Sequence, residues 1–228
     1  SPLGDTQGHG TQMALIASGA VLPGGVSADS ATAGVPLVAI RAFNEAGVAT
    51  EFSLLRSIAY AAEQGARVIN MSWGSETSSG FMANAMAFAR SKGIILVAAA
   101  GNSPTGRPVY PAAYPGVIAV GALGADGERW PQSNHGDFLS LAAPGTAEMP
   151  VGHEGPAGSY AGTSISSAFV SRALSLYLGK NPECSNAAAV AALMASLRDA
   201  GEEGRDRFYG NGVLDSAALA AFLGQPCR

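Results

Sequence analysis

Gly93–Ala100 reads GIILVAAA, a run without a single polar side chain. A strand of this composition has no face to turn to water, so it belongs inside a sheet covered on both sides. Val35–Ala42 (VPLVAIRA), Arg67–Met71 (RVINM) and Gly116–Leu123 (GVIAVGAL) read the same way, as strands apolar on both faces. Between them lie stretches of helical period. Phe52–Gln64 carries Leu54, Leu55, Ile58, Ala59, Ala61 and Ala62 at helical spacing, and Ser79–Lys92 closes with Arg90, Lys92 and then Gly93, as a helix C-terminus should. His9–Gly19 is apolar nearly all round, which predicts a buried helix. Alternating β and α segments predict an α/β fold with a mainly parallel central sheet flanked by helices on both faces. No repeat, linker or composition shift divides residues 1–228, so one domain is expected.

Composition narrows the functions. The 228 residues are 47% hydrophobic and 13% charged, enough to bury a sizeable core and too apolar for disorder. A net charge of −4 with no basic run argues against a nucleic-acid partner. The longest apolar stretch is far too short to span a bilayer, so no membrane partner is expected. Cys184 and Cys227 admit two readings: buried unpaired residues, or a disulfide pinning the C-terminal helix to the body in an oxidising compartment. No export leader is read within residues 1–228; if the protein is exported, that segment is expected to have been removed.

Three segments carry the chemistry. His9 stands in GHGTQMA (8–14), flanked by glycines where a loop enters the most apolar helix, so its imidazole could approach a nucleophile closely. His135, in SNHGDF, and His153, in PVGHEGPAG, read as a structural loop residue and a solvated surface residue. Ser159–Val170, SYAGTSISSAFV, is a Gly-Thr-Ser turn opening a helix that runs to Leu178. A serine there is ordinarily a helix cap; the same position suits a nucleophile, because the free N–H groups of the first turn favour an oxyanion next to Oγ of Ser164. The third segment ends a buried strand in Ala100-Gly101-Asn102. Asparagine after glycine is common turn chemistry, but the C-terminal ends of parallel strands are where α/β sheets bind ligands, and there its amide could be a second oxyanion donor.

The ordered set GHGTQMA (8–14), VINMSWG (68–74), VAAAGN (97–102), YPAAYPGVIAVGA (110–122), LAAPG (141–145) and GTSISSAFV (162–170) resembles the subtilisin-like serine proteases, and YGNGVLDSAAL (209–219) resembles the turn and helix that close their catalytic domain. The resemblance implies the subtilisin-like fold and hydrolysis of peptide bonds, with protein or peptide substrates. It implies His9 as general base, Ser164 as nucleophile, and Asn102 with the Ser164 N–H as oxyanion hole. It implies that Ser72-Trp73-Gly74 and Gly47-Val48-Ala49 flank an extended substrate, and that Ala99, Ala100 and Gly101 wall the primary pocket, with Val109 near its base. Ser167-Ala168-Phe169 replaces the family's usual Ser-Pro-His, which removes the reason for a helix kink. A secreted or periplasmic location is expected. No cofactor is implied; Asp29 alone in the Gly19–Gly34 loop is too little for calcium, and no metal is expected.

One part of the family pattern is missing. A triad needs a carboxylate to orient the imidazole, and in the family it ends an apolar strand before Ser/Thr-Gly. None of Asp5, Asp29, Asp126, Asp137, Asp199, Asp206 and Asp215 stands in that context, and Asp5, four residues before His9, lies in a polar loop. An upstream segment retained as a separate chain, its loss, or an inactive peptide-binding relative would each account for this. Because the missing strand belongs near mid-sheet, a complementary N-terminal fragment carrying the aspartate is expected.

Overall fold

A computed structural model describes residues 4–27 and 34–227. Four strands, β1 (Val68–Met71), β2 (Ile95–Ala99), β3 (Val117–Leu123) and β4 (Leu141–Pro144), form a parallel sheet in the order β1-β2-β3-β4. Every residue of β2 and β3 is buried, and successive side chains serve opposite faces. Ile95, Val97, Ile118 and Val120 join one core with helices α1 (His9–Ser18), α4 (Thr163–Lys180), α5 (Asn186–Ser196) and α6 (Ser216–Gly224). Leu96, Ala98, Val117 and Ala119 join a second core with α2 (Glu51–Glu63) and α3 (Gly80–Ser91). A two-stranded antiparallel ribbon of β5 (Thr146–Met149) and β6 (Gly158–Ala161) leads into α4.

Caps set the helix limits. Thr50, Ser79 and Ser185 accept hydrogen bonds from the backbone N–H three residues on, opening α2, α3 and α5, and Asp215 does the same for α6. With Ala168 in place of proline, α4 runs unbroken for 18 residues. It lies almost wholly buried beside α1. Arg172, eight residues after Ser164 in α4, donates through Nη1 to Ser18 O at the end of α1, at 2.6 Å.

The cysteines are bonded. Cys184–Cys227 closes a 43-residue separation and ties the end of α6 to the α4–α5 turn, beside the stacked rings of Tyr177 and Phe222. Restricting the unfolded chain over a loop of that length stabilises the fold by about 3–4 kcal/mol, so reduction should lower the denaturant midpoint accordingly, read from urea melts with and without a thiol reductant.

The expected strand at Val35–Ala42 is not formed. The segment has no ladder partner, and Leu37, Val38 and Ile40 stand 45%, 46% and 37% exposed. A strand exists only where a neighbour takes up its backbone groups, and here the nearest sheet edge, β1, is separated from it by a trough of about 620 Å³. The trough is walled by residues 37–43 on one side and Ile69–Ser72 on the other, with His9, Met13 and Ile58 also lining it. β1 is correspondingly only half-buried over Val68–Asn70, unlike β2 and β3. Asp29 and most of the Gly19–Gly34 loop's centre lie outside the described residues.

Candidate functional site

Ser164 occupies the first turn of α4, entered through Gly162. Its side chain does not cap the helix; Oγ lies 3.4 Å from Ser72 O, a long contact that leaves the hydroxyl available. Beneath it, Ser72 Oγ donates to Ser164 O (3.1 Å) and lies 3.0 Å from Ser167 Oγ, while Asn70 Nδ2 donates to Ser72 Oγ (2.9 Å). The end of β1 and the start of α4 are thereby stitched together.

Asn102 follows β2 in the loop at its C-terminal end. Its Oδ1 accepts from Thr163 N (3.0 Å) and Thr163 Oγ1 (2.8 Å), and Nδ2 lies beside Gly162, with Asn102 and Ser164 lining the same cavity. Thr163 Oγ1 in turn accepts from Gly101 N at 3.1 Å. Asn134, fully buried, donates to Ala100 O (3.1 Å) and Arg107 O (2.9 Å) and accepts from Gly106 N (3.1 Å), holding both ends of the loop that bears Asn102. The free Ser164 N–H and the Asn102 amide are two donors converging beside one hydroxyl, at the positive end of a buried helix. Such an arrangement stabilises negative charge that develops on a carbonyl attacked by Ser164.

A cavity of about 300 Å³ opens beside this point, lined by Ser72, Trp73, Gly74, Ala99, Gly101, Asn102, Val109, Thr163 and Ser164, together with Glu76 and Ser103. Val109 crosses it. A methyl group at Gly74 would stand 2.5 Å from Val109 Cγ1, and one at Gly101, whose φ is +104°, 3.2 Å from Cγ2. Ala100 is fully buried behind the wall. Gly47, Val48 and Ala49 lie apart from this cavity, in no ladder: Gly47 closes a turn held by Asn44 and borders the trough, and Val48 is 59% exposed. Trp73 bridges the two regions, lining both and meeting the Phe43 ring edge-on at 6.0 Å.

His9 is the first residue of α1, after Gly8 at φ +78°. That glycine is required: a Cβ there would lie 1.9 Å from Gly152 O. Burial, and then the neighbouring His153, hold the His9 pKa below the ordinary value, against smaller opposing effects of Asp5 and Glu154. His153 is not the solvated surface residue expected. It is half-buried, its ring 5.0 Å from that of His9, because the 151–157 loop folds down onto α1. His135 packs on Phe208 at 4.9 Å, a loop position as expected.

Asp5 caps α1. Its carboxylate accepts from Gly8 N (3.1 Å), Thr11 N (2.7 Å) and Thr11 Oγ1 (2.7 Å). Partial burial works to raise its pKa, yet these bonds outweigh it and hold the carboxyl below the ordinary value. Among the described residues no carboxylate hydrogen-bonds the His9 ring. No cluster of His, Cys, Asp and Glu among them is placed to hold a metal ion, and no helix is long and apolar enough to cross a membrane.

From the sequence, Thr163, Asn134, Glu76 and Ser103 have no assigned site role, and His153 reads as a solvated surface residue. Glu76 and Ser103 adjoin recognised motifs and could have been found by extending them. His153 gave no local signal.

A hydroxyl at a helix N-terminus and two N–H donors border one cavity, and a half-buried imidazole opens the helix packed against α4 and lines the adjoining trough. The chain belongs to the subtilase family, whose model matches residues 1–212. It is 31% identical over 229 residues to Subtilisin E of Bacillus subtilis (strain 168), spanning 96% of this chain and 58% of that protein. It is 33% identical over 220 residues to Subtilisin DY of Bacillus licheniformis, covering 95% and 78%. Among solved structures, a lanthipeptide protease shares the fold with a TM-score of 0.80 at 22% identity, covering 97% of this chain and 77% of that one.

Proposed function

We propose that residues 1–228 are the catalytic domain, less one strand, of a serine endopeptidase. Ser164 Oγ attacks the scissile carbonyl and passes its proton to His9; the oxyanion is met by Ser164 N–H and Asn102 Nδ2. The C–N bond breaks as His9 gives that proton to the leaving amine, and water, deprotonated by His9, then hydrolyses the acyl-enzyme and frees Ser164. The observation that carries this reading is the pair of hydrogen bonds that Thr163 N–H and Oγ1–H donate to Asn102 Oδ1, which fixes the side from which the amide N–H groups project. A fluorophosphonate probe tests it: labelling that disappears in Ser164→Ala supports the reading, and an unlabelled chain in a complete, folded sample overturns it.

The orienting carboxylate is supplied by an extended apolar segment seated in the trough, from upstream or as a separate chain retained after processing. Three features support this. The β1 edge is unpaired, the opposite wall exposes Leu37, Val38 and Ile40, and the trough runs up to His9. Intact-mass analysis of native material decides the matter, because a lone 22.8 kDa species with full activity removes the need for a complement. One observation favours a second reading, a peptide-binding relative without turnover: Asp5, the nearest aspartate in sequence, is committed to its helix. The disulfide supports a secreted or periplasmic location.

Val109 makes the primary pocket shallow, so small and medium apolar side chains are the preferred occupants. In Val109→Gly, peptide-library cleavage is expected to shift towards Phe and Tyr at this subsite; an unchanged profile places the pocket floor elsewhere.

A further inference from the structure

The 151–157 loop is fastened to the start of α1 at several points. Gln12 Nε2 donates to Val151 O (2.8 Å), and the Gly8 and Gly152 backbones touch. Tyr160 Oη accepts from His153 N (2.9 Å) and donates to Pro156 O (2.7 Å). His153 Nδ1 stands 3.1 Å from Gln7 O, and since a carbonyl only accepts, Nδ1 carries the hydrogen. The ring is thereby fixed in tautomer and orientation, its plane at 48° to that of His9.

We propose that His153 is a positioning residue for His9: clamped through Gln7, it packs the catalytic imidazole in place and disfavours the state in which both rings carry a proton. The inference rests on the reading of His9 as the general base. With the two rings 5.0 Å apart, a charge on His153 opposes a proton on His9. The other charges facing His9 are Asp5, from the loop before α1, and Glu154, beside His153. Asp5 is engaged by α1 itself. Across the trough Arg41 pairs with Glu45, β1 carries no charge, and Arg172 of α4 meets α1 at its far end. Of the charges facing His9, Asp5 and Glu154 oppose the effect of His153 and are the smaller.

The test uses the full chain with two substitutions. His153→Phe keeps an aromatic ring against His9 and removes the charge, while His153→Ala removes both. Ring-proton NMR titration follows His9 among only three histidines, its resonance assigned by its loss in His9→Asn. The sign follows from the removal of a like charge: in His153→Phe, His9 gains its proton more readily, so its midpoint moves to higher pH. The acid limb of kcat/KM moves the same way wherever turnover is measured. His153→Ala is expected to show the same shift with a further fall in kcat, because the ring is no longer held. An His9 midpoint unmoved in His153→Phe, or moved to lower pH, overturns the proposal. A shifted midpoint in a chain that never cleaves peptides upholds the coupling and counts instead against the peptidase reading.

Discussion

Ser164→Ala should lower kcat by about 10⁶-fold while leaving KM near the parent value, measured by steady-state hydrolysis of a chromogenic peptide. The size follows from what the hydroxyl does. Without it no acyl-enzyme forms, His9 has no proton to accept, and the remaining rate rests on the oxyanion donors acting on direct attack by water. The substitution itself is mild. Ser164 Oγ makes only a 3.4 Å contact to Ser72 O, and α4 is opened by Gly162, so neither fold nor cavity loses a support. A fall in kcat without a fall in melting temperature is therefore the expected signature. Retention of most of the activity would remove Ser164 from the chemistry altogether.

The second large effect belongs to Asn102. Asn102→Ala should cost about 10²–10³ in kcat, the usual consequence of losing one preorganised oxyanion donor. The loss should fall on kcat and not on KM, because the amide meets charge that exists only after the nucleophile has attacked. Burst kinetics would separate the steps: slower acylation, with substrate binding little changed. An equal rise in KM would mean instead that Asn102 chiefly anchors the ground-state peptide. Thr163 is left with its hydroxyl on Gly101 N in the variant, so the Ala100–Asn102 turn keeps its shape.

The buried strands and the helices between them were readable because their information is local. GIILVAAA places β2 at Ile95–Ala99 whatever surrounds it, and the run Arg90, Lys92, Gly93 ends α3 to within a residue. Residues 35–42 have an equally strand-like composition and form no strand, because pairing depends on what lies alongside and not on the side chains within. The same limit explains the site. His9, Asn102 and Ser164 stood in recognisable motifs and could be named beforehand. Thr163, one residue from the nucleophile, acts through a carboxamide 61 positions earlier. His153 meets Gln7 across 146 residues of chain, a distance at which sequence patterning carries no information about contact. Whether Cys184 and Cys227 pair was likewise undetermined until the end of α6 was seen against the α4–α5 turn.

Mounting His9 on the first residue of α1 has an electrostatic price. In the proposed reaction, proton transfer from the nucleophile puts a positive charge on that ring, at the end of a helix whose first-turn amides, of which Thr11 N is taken up by Asp5, present partial positive charge. A cation placed there is disfavoured by about 0.3–1 kcal/mol, and by more where burial reduces screening. Neither α1 nor α4 has an acidic residue in its first turn, and Asp5 is held fast by Thr11 and Gly8. The framework that makes the serine's oxyanion comfortable thus works against the imidazolium formed at the same moment. In the proposed reaction, a carboxylate brought up on the open flank of β1 would offset that imbalance, adding to the smaller opposing effects of Asp5 and Glu154.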